Sequence, residues 1–229
     1  MTAGIDLYDG KKWQRLDQRS ISMWNGSGWV KGRVRIFDGD KWHDIPGLQK
    51  TYTTTWEATW SEGYWGSDHS NIAHTHYNSL WRHDRLAQGD YQPFHDNFNK
   101  SIEHGMVGFD DANMRSQLAG STILKTELYL HSLHWAYTSG GLAVIGTHNA
   151  RGWQEYFSEN WHGIIRVNYY KRDQGQWITL PNWVGEYIRD NKVAGITTSA
   201  DNGSLKEYGI FAGLWDGWKK PKIRITYRK

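Results

Sequence analysis

One stretch, Gly105–Trp135 (GMVGFDDANMRSQLAGSTILKTELYLHSLHW), restricts the folds open to this chain more than any other. Met106–Phe109 reads as a short apolar strand. Asp110 or Asp111 caps a short helix over Ala112–Leu118, because a carboxylate there accepts from the orphan N–H groups of the first turn. Gly120 then ends the helix without a Cβ penalty. Ser121–Trp135 follows, rich in β-branched and aromatic residues, with Glu127, Tyr129 and His131 on one face and Leu128 and Leu130 on the other. A long strand beside a tight strand–helix crossing is an element on which a β-sandwich is assembled.

The flanking chain carries the same signature. Thr51–Trp60 alternates cleanly, with Tyr52, Thr54, Trp56, Ala58 and Trp60 on one face. After the central stretch, Leu142–His148, Gly163–Tyr170, Gln176–Leu180, Val193–Thr198, Glu207–Ala212 and Lys222–Tyr227 are strand candidates bounded by Gly, Asn or Asp. Pro181 opens a second helix whose apolar face is Trp183, Val184, Tyr187 and Ile188, and Asn191 closes it. Many short strands and two small helices predict an antiparallel, all-β sandwich over residues 51–229.

Residues 1–46 are organised differently. Ile5–Trp13, Ile21–Trp29 and Val34–Trp42 share the pattern apolar-x-apolar-aromatic-[Asp/Asn]-Gly-x-x-Trp, spaced by 16 and then 13 residues. Asp-Gly and Asn-Gly between β-type residues are strong hairpin signals. Each unit is expected to be a small hairpin whose aromatic pair meets across the turn: Tyr8 with Trp13, Trp24 with Trp29, Phe37 with Trp42. Three such hairpins hold little core of their own, so these six aromatic residues are expected to serve attachment or self-assembly, as a homo-oligomer and in particular a trimer. Ile45-Pro46-Gly47 marks the junction.

Composition narrows function. The 15 Trp and 13 Tyr exceed what a core of this size needs, which places some of them at subunit contacts or against a ligand. Candidates for stacking on a sugar face are Trp65, Trp81, Trp135, Tyr137, Trp153, Trp161, Trp215 and Trp218, each flanked by small or polar residues. A net charge of +3, from 27 basic and 24 acidic residues, makes no field for nucleic acid. The basic ending Lys219–Lys229 reads instead as the solvated face of an edge strand. No apolar run spans a bilayer, and the N-terminus lacks the basic and apolar regions of a signal peptide. With no Cys there is no disulfide or thiolate metal site.

Chemistry is sparse. No nucleophile elbow, phosphate-binding loop or His-Glu-x-x-His motif is present, and the adjacent pair Asp110-Asp111 does not set two carboxyls across a sugar ring, so no enzyme is expected. The irregular region Ser61–His104 holds six of the 11 His residues. On a strand, His74 and His76 would project from one face, and around a threefold axis three such pairs would offer six nitrogens to a transition metal. Otherwise no cofactor is expected.

Two resemblances extend this reading. Gly108-Phe109-Asp110, Leu118-Ala119-Gly120-Ser121-Thr122-Ile123 and Glu127-Leu128-Tyr129-Leu130 resemble the "FD…L-x-G-A-T-I…A-x-L-x-L-Y" core of DNRLRE-type jelly-roll domains. Pro221–Tyr227 resembles their closing "P-x-L-x-I-T-Y" strand, and the likeness covers roughly residues 51–229. The repeat Tyr8-Asp9-Gly10-x-x-Trp13 is similar to short Trp-Gly repeats of minor structural proteins in phages of Gram-positive bacteria. The resemblance implies a virion protein assembled in the host cytoplasm, sited at a tail tip, fibre or decoration position. It implies virion proteins and cell-surface carbohydrate as partners, with a carbohydrate-binding module of a cellular surface protein as the alternative. The chain departs from the family in its His-rich insertion and in lacking an acidic cluster that matches the calcium site of some relatives.

Overall fold

The computed structural model describes residues 6–8, 11, 13–15, 22–24, 27, 29–31, 35–37, 39–40, 42–44, 50–66, 72–73, 83–90 and 102–229. Contacts divide the chain into two compact units, Met1–Tyr52 with Arg228–Lys229, and Thr53–Tyr227.

The first unit contains three antiparallel hairpins: β1 (Asp6–Tyr8) with β2 (Trp13–Arg15), β3 (Ser22–Trp24) with β4 (Trp29–Lys31), and β5 (Arg35–Phe37) with β6 (Trp42–Asp44). Their registers set Tyr8 opposite Trp13, Trp24 opposite Trp29 and Phe37 opposite Trp42. The repeat thus fixes the pairing. In each case four residues separate the paired ends, and Gly39 in the last loop has φ +107°, open to a residue with no Cβ.

The second unit is an all-β sandwich with two short helices. Its elements are β7 (Thr51–Gly66), β8 (Ile72–Ala73), β9 (Leu86–Gln88), β10 (Ile102–Phe109), α1 (Asp111–Leu118), β11 (Thr122–Trp135), β12 (Gly141–His148), β13 (Trp161–Tyr169), β14 (Gln174–Leu180), α2 (Asn182–Arg189), β15 (Gly195–Ser199), β16 (Gly209–Phe211) and β17 (Lys222–Arg228). Hydrogen bonds run through the order β13-β12-β15-β10-β7-β17-β11-β16-β9, with β14 added on β11 and β8 on β7. Antiparallel pairing of β11 with β16 and of β12 with β15 nests around the β13–β14 turn, the winding of a jelly roll.

The central stretch folds as its residues dictate. The Asp110 carboxylate accepts from Asn113 N–H at 3.0 Å and caps α1, which buries Met114 and Leu118. Asp111 is not the cap; it receives Arg115 and Arg151. Gly120 follows in the left-handed region at φ +68°. Leu128 and Leu130 of β11 are buried, joined in the core by Trp135, Tyr169 and Phe211, whose rings pack at centroid distances of 5.4–5.8 Å. Each fully buried leucine contributes about 1.5–3 kcal/mol of transfer free energy. On α2, Val184, Gly185 and Ile188 are buried, and the helix packs on β11, with Gly185 close to Ile123 and Thr126.

Two expectations are corrected. β17 is not an edge strand: it lies between β7 and β11, Ala58 N–H donates to Pro221 O at 2.9 Å, and Thr53 meets Thr226. Its alternation arises because Ile223, Ile225 and Tyr227 enter the core while Lys222 and Arg224 join ion pairs. Trp135, offered as a ligand-stacking residue, is fully buried. The small and polar residues after it form a turn, while a register shift between Ser132 and His134 reverses the alternation that sends Glu127, Tyr129 and His131 outward and turns the indole inward.

The outer faces of the two sheets differ. Behind β10, β15 and β12 runs the segment 149–160: Tyr64 OH donates to Gln154 O at 2.9 Å, Ser158 N–H to Met106 Sδ at 3.4 Å, and Thr197 bonds Glu159. β15 is buried along its whole length as a result. The outer face of β7, β17, β11 and β14 carries instead a row of charged and aromatic side chains. No helix among the described residues is long and apolar enough to cross a membrane.

Candidate functional site

Strand alternation builds the site on that second face. Leu128, Leu130, Ile178 and Leu180 point inward, so Glu127, Tyr129 and His131 of β11 and Trp177 of β14 point outward. Tyr129 and Trp177 are direct cross-strand partners, with ring centroids 5.4 Å apart. The guanidinium of Arg224 on β17 lies 4.0 Å from the Trp177 ring centroid and donates to Glu127 at 2.9 Å.

A hydrogen-bond chain crosses the face. Tyr129 OH and His131 Nδ1 are 3.2 Å apart, His131 Nε2 and Asp173 Oδ1 are 2.9 Å apart, and Lys219 Nζ donates to the same Asp173 oxygen at 2.5 Å. A carboxylate only accepts, so in the neutral ring the proton sits on Nε2 and Nδ1 receives the tyrosine hydroxyl. Desolvation holds the Tyr129 hydroxyl above its ordinary range, which keeps it a donor. A Cβ at Gly175 would fall 2.2 Å from the Tyr129 hydroxyl and 2.7 Å from His131 Nδ1, so only glycine lets β14 close over this pair.

Trp218 stands over the chain. Its ring meets His131 edge-on at 5.3 Å and remains 68% exposed. It rides on a 3₁₀ turn, Gly217–Lys219, whose base is tied down. Arg85 grips Asp216 with two hydrogen bonds of 3.0 and 2.8 Å, and Asp216 also accepts from Gly213 N–H at 2.9 Å. Leu214 N–H donates to Ser61 Oγ and Trp215 N–H to Asp84. A loop so firmly anchored presents its indole in a fixed position.

Charge is distributed unevenly. Glu57 is shared by Lys220 and Lys222, Glu127 by Arg224 and Lys125, and Asp173 by Lys219 and His131. Lys220 beside Glu57, Arg224 beside Glu127 and Lys219 beside Asp173 hold these carboxyls below their usual range. Five permanent cations therefore stand against three ionised carboxylates.

The other expected ligand residues scatter. Trp153 is half exposed and its indole N–H donates to Glu62 at 2.6 Å; burial pushes that carboxyl above its usual range, opposed by the hydrogen bond from Trp153 and the nearby His83. Trp215 is 5.0 Å from His83. Trp161 packs against Trp183 and Tyr187 of α2 at 5.6 and 5.3 Å. Tyr137 lines a groove on the far side of the β13–β14 turn. The backbone of Trp65 pairs with Glu103 and Ile72. Its side chain lies outside the described residues, as do Trp81, His74, His76 and the side chains of Tyr8, Trp13, Trp24, Trp29, Phe37 and Trp42. Among the described residues no group of three or more His, Asp or Glu is placed to hold a metal ion.

Of the expected ligand residues that are described, Trp218 alone belongs to the platform. Trp177, Tyr129, His131, Asp173 and Arg224 were not among them. The signal for Trp177 was present in the alternation Trp177-Ile178-Thr179-Leu180, which sends the indole outward once Ile178 is assigned to the core. No protein-family model matches the chain, and no curated protein is significantly similar to it.

Proposed function

We propose that this chain is a non-enzymatic structural protein of a phage virion whose jelly roll binds carbohydrate on the host cell surface. The observation that carries the binding reading is the Trp218–Trp177 platform. A largely exposed indole, fixed by an anchored loop, lies beside a hydrogen-bonded row of Tyr129, His131, Asp173 and Lys219. Indole faces take the C–H face of a sugar ring, while carboxylate and ammonium groups at the rim meet its hydroxyls. The surplus of cations favours a saccharide carrying carboxylate or phosphate groups. The virion assignment rests on the similarity of the repeat Tyr8-Asp9-Gly10-x-x-Trp13 to Trp-Gly repeats of phage minor structural proteins, joined to a half that resembles DNRLRE-type jelly-roll domains. The three hairpins supply its attachment or trimerisation segment.

The test is titration of the protein with purified cell-wall polysaccharides from Gram-positive bacteria, acidic and neutral, by calorimetry. Binding of an acidic polymer is expected to weaken at least tenfold in Trp218→Ala, with melting temperature unchanged because the ring is exposed. It is also expected to weaken as salt rises. Retention of full affinity by Trp218→Ala and by Arg224→Ala would exclude this face as the binding surface.

A further inference from the structure

The turn that carries Asp173 also faces a second concavity. An open groove of about 570 Å³ is lined by Tyr137, Ser139, Asn168, Tyr170, Ser204 and Lys206. That volume lies within the range of small-molecule sites. Two of its walls are exposed tyrosine rings, Tyr137 at 49% and Tyr170 at 74%. The rest of the lining combines Tyr169 and the backbone of Gly140 and Gly141 with the polar side chains of Ser139, Asn168, Ser204 and Lys206. Ring faces beside hydroxyl, amide and ammonium groups suit a ligand that offers a ring face and hydroxyls.

The groove and the platform share one rigid support. Arg172 donates to Trp135 O at 2.8 Å and to Ala136 O at 3.0 Å, tying the β13–β14 turn to the residues just before Tyr137. Tyr170 N–H donates to Gln174 Oε1 at 2.9 Å, closing the turn on itself. Asp173, in the left-handed region at φ 52°, faces the other way and holds His131 and Lys219. Tyr170 therefore enters the turn on the groove side, and Asp173 leaves it on the platform side.

We infer that the Tyr137–Tyr170 groove is a second saccharide subsite, and that it and the Trp218 platform together bind a linear polysaccharide running across the β13–β14 turn. This deepens the carbohydrate-binding reading and rests on it. The ligand is then a chain engaged internally over several sugar units, so affinity grows with chain length until both subsites are filled.

The experiment compares one acidic cell-wall polysaccharide with the disaccharide fraction of its partial hydrolysate, on four full-length proteins. The unmodified protein is expected to bind the polymer much more tightly than the disaccharide. Tyr137→Ala/Tyr170→Ala is expected to lose about tenfold in affinity for the polymer while binding the disaccharide as before. Tyr137→Phe/Tyr170→Phe, which keeps both rings, is expected to retain most of the polymer affinity. Trp218→Ala is expected to lose both ligands. Equal polymer binding by the unmodified and double-alanine proteins overturns the second subsite while leaving the platform standing. Equal weakening of both ligands in the double-alanine protein, with a lowered melting temperature, also overturns it, as a folding effect. Disaccharide binding untouched by Trp218→Ala overturns the platform instead, and binding of neither ligand by any of the four overturns both.

Discussion

His148 shows how one buried side chain ties stability to pH. It sits on β12, fully buried, and its Nε2–H donates to Val107 O at 3.0 Å, with Trp60 5.3 Å away. A Cβ at Gly195 would lie 2.3 Å from that ring nitrogen, so the ring has no space to shift. Burial pushes its pKa down to about 4. In the unfolded chain the ring takes a proton near pH 6.5. The unfolded state therefore binds the proton first as pH falls, and the contribution of His148 is complete above about 6.5 and lost on the way to 4. The loss is on the order of 3 kcal/mol. His104, also pushed to about 4 by burial, adds in the same sense. Glu103 acts oppositely: burial and the neighbouring Asp90 raise it to about 8, so its contribution is full below about 4.5 and fades as pH rises through 8. Denaturant unfolding at pH 7.5 and 4.5 checks this. His148→Gln is expected to be less stable at the higher pH and to lose less on acidification; equal losses in both proteins would remove His148 as the cause. Neither effect was legible in sequence, since nothing in Thr147-His148-Asn149 says that the ring faces a backbone carbonyl instead of water.

Among the elements, the 213–219 loop decides whether the platform exists. Arg85 and Asp216 are both nearly buried, with side-chain exposures of 12% and 9%, and they bridge positions 131 residues apart. Removing one partner breaks a buried ion pair, which costs about 3–5 kcal/mol. Asp216→Ala is expected to destabilise by that amount and to abolish saccharide binding at temperatures where the sandwich is still folded. Circular dichroism melting and calorimetry read the two effects, and a fall of less than about 1 kcal/mol would mean that the loop is held by other contacts. Sequence periodicity located most strands of the sandwich and both helices, because alternation and capping are local signals carried by residues such as Asp110 and Gly120. The site was barely legible. Its residues come from β11, β14, β17 and two turns, and they meet only through non-local pairing. Trp135 and Trp177 show the difficulty: both stand on strands next to small or polar residues, and only the sheet register tells which one faces solvent.

At the scale of the whole molecule, the two units make different physical demands. Thr53–Tyr227 buries its own core around Trp135, Phe211 and the isoleucines of β17. Each N-terminal hairpin pairs only three residues per strand, and two-stranded hairpins of that size are marginal alone in water. Their registers nevertheless set one aromatic pair at opposed positions in every repeat, Tyr8 with Trp13, Trp24 with Trp29 and Phe37 with Trp42. Under the proposed function, self-association would support these marginal hairpins by letting copies of the same segment cover one another. It would also multiply the platforms, so that weak sites gain avidity on a repetitive cell-surface polymer. The expected solution mass is three times the 26.6 kDa of one chain. A chain starting at Thr51 is expected to be monomeric, to keep the affinity of a single platform for a disaccharide, and to lose most of its hold on whole cell walls. Light scattering coupled to gel filtration measures the masses, and a cell-wall pull-down measures retention. A full-length monomer, or a truncated chain that still trimerises, would remove the N-terminal hairpins as the assembly segment.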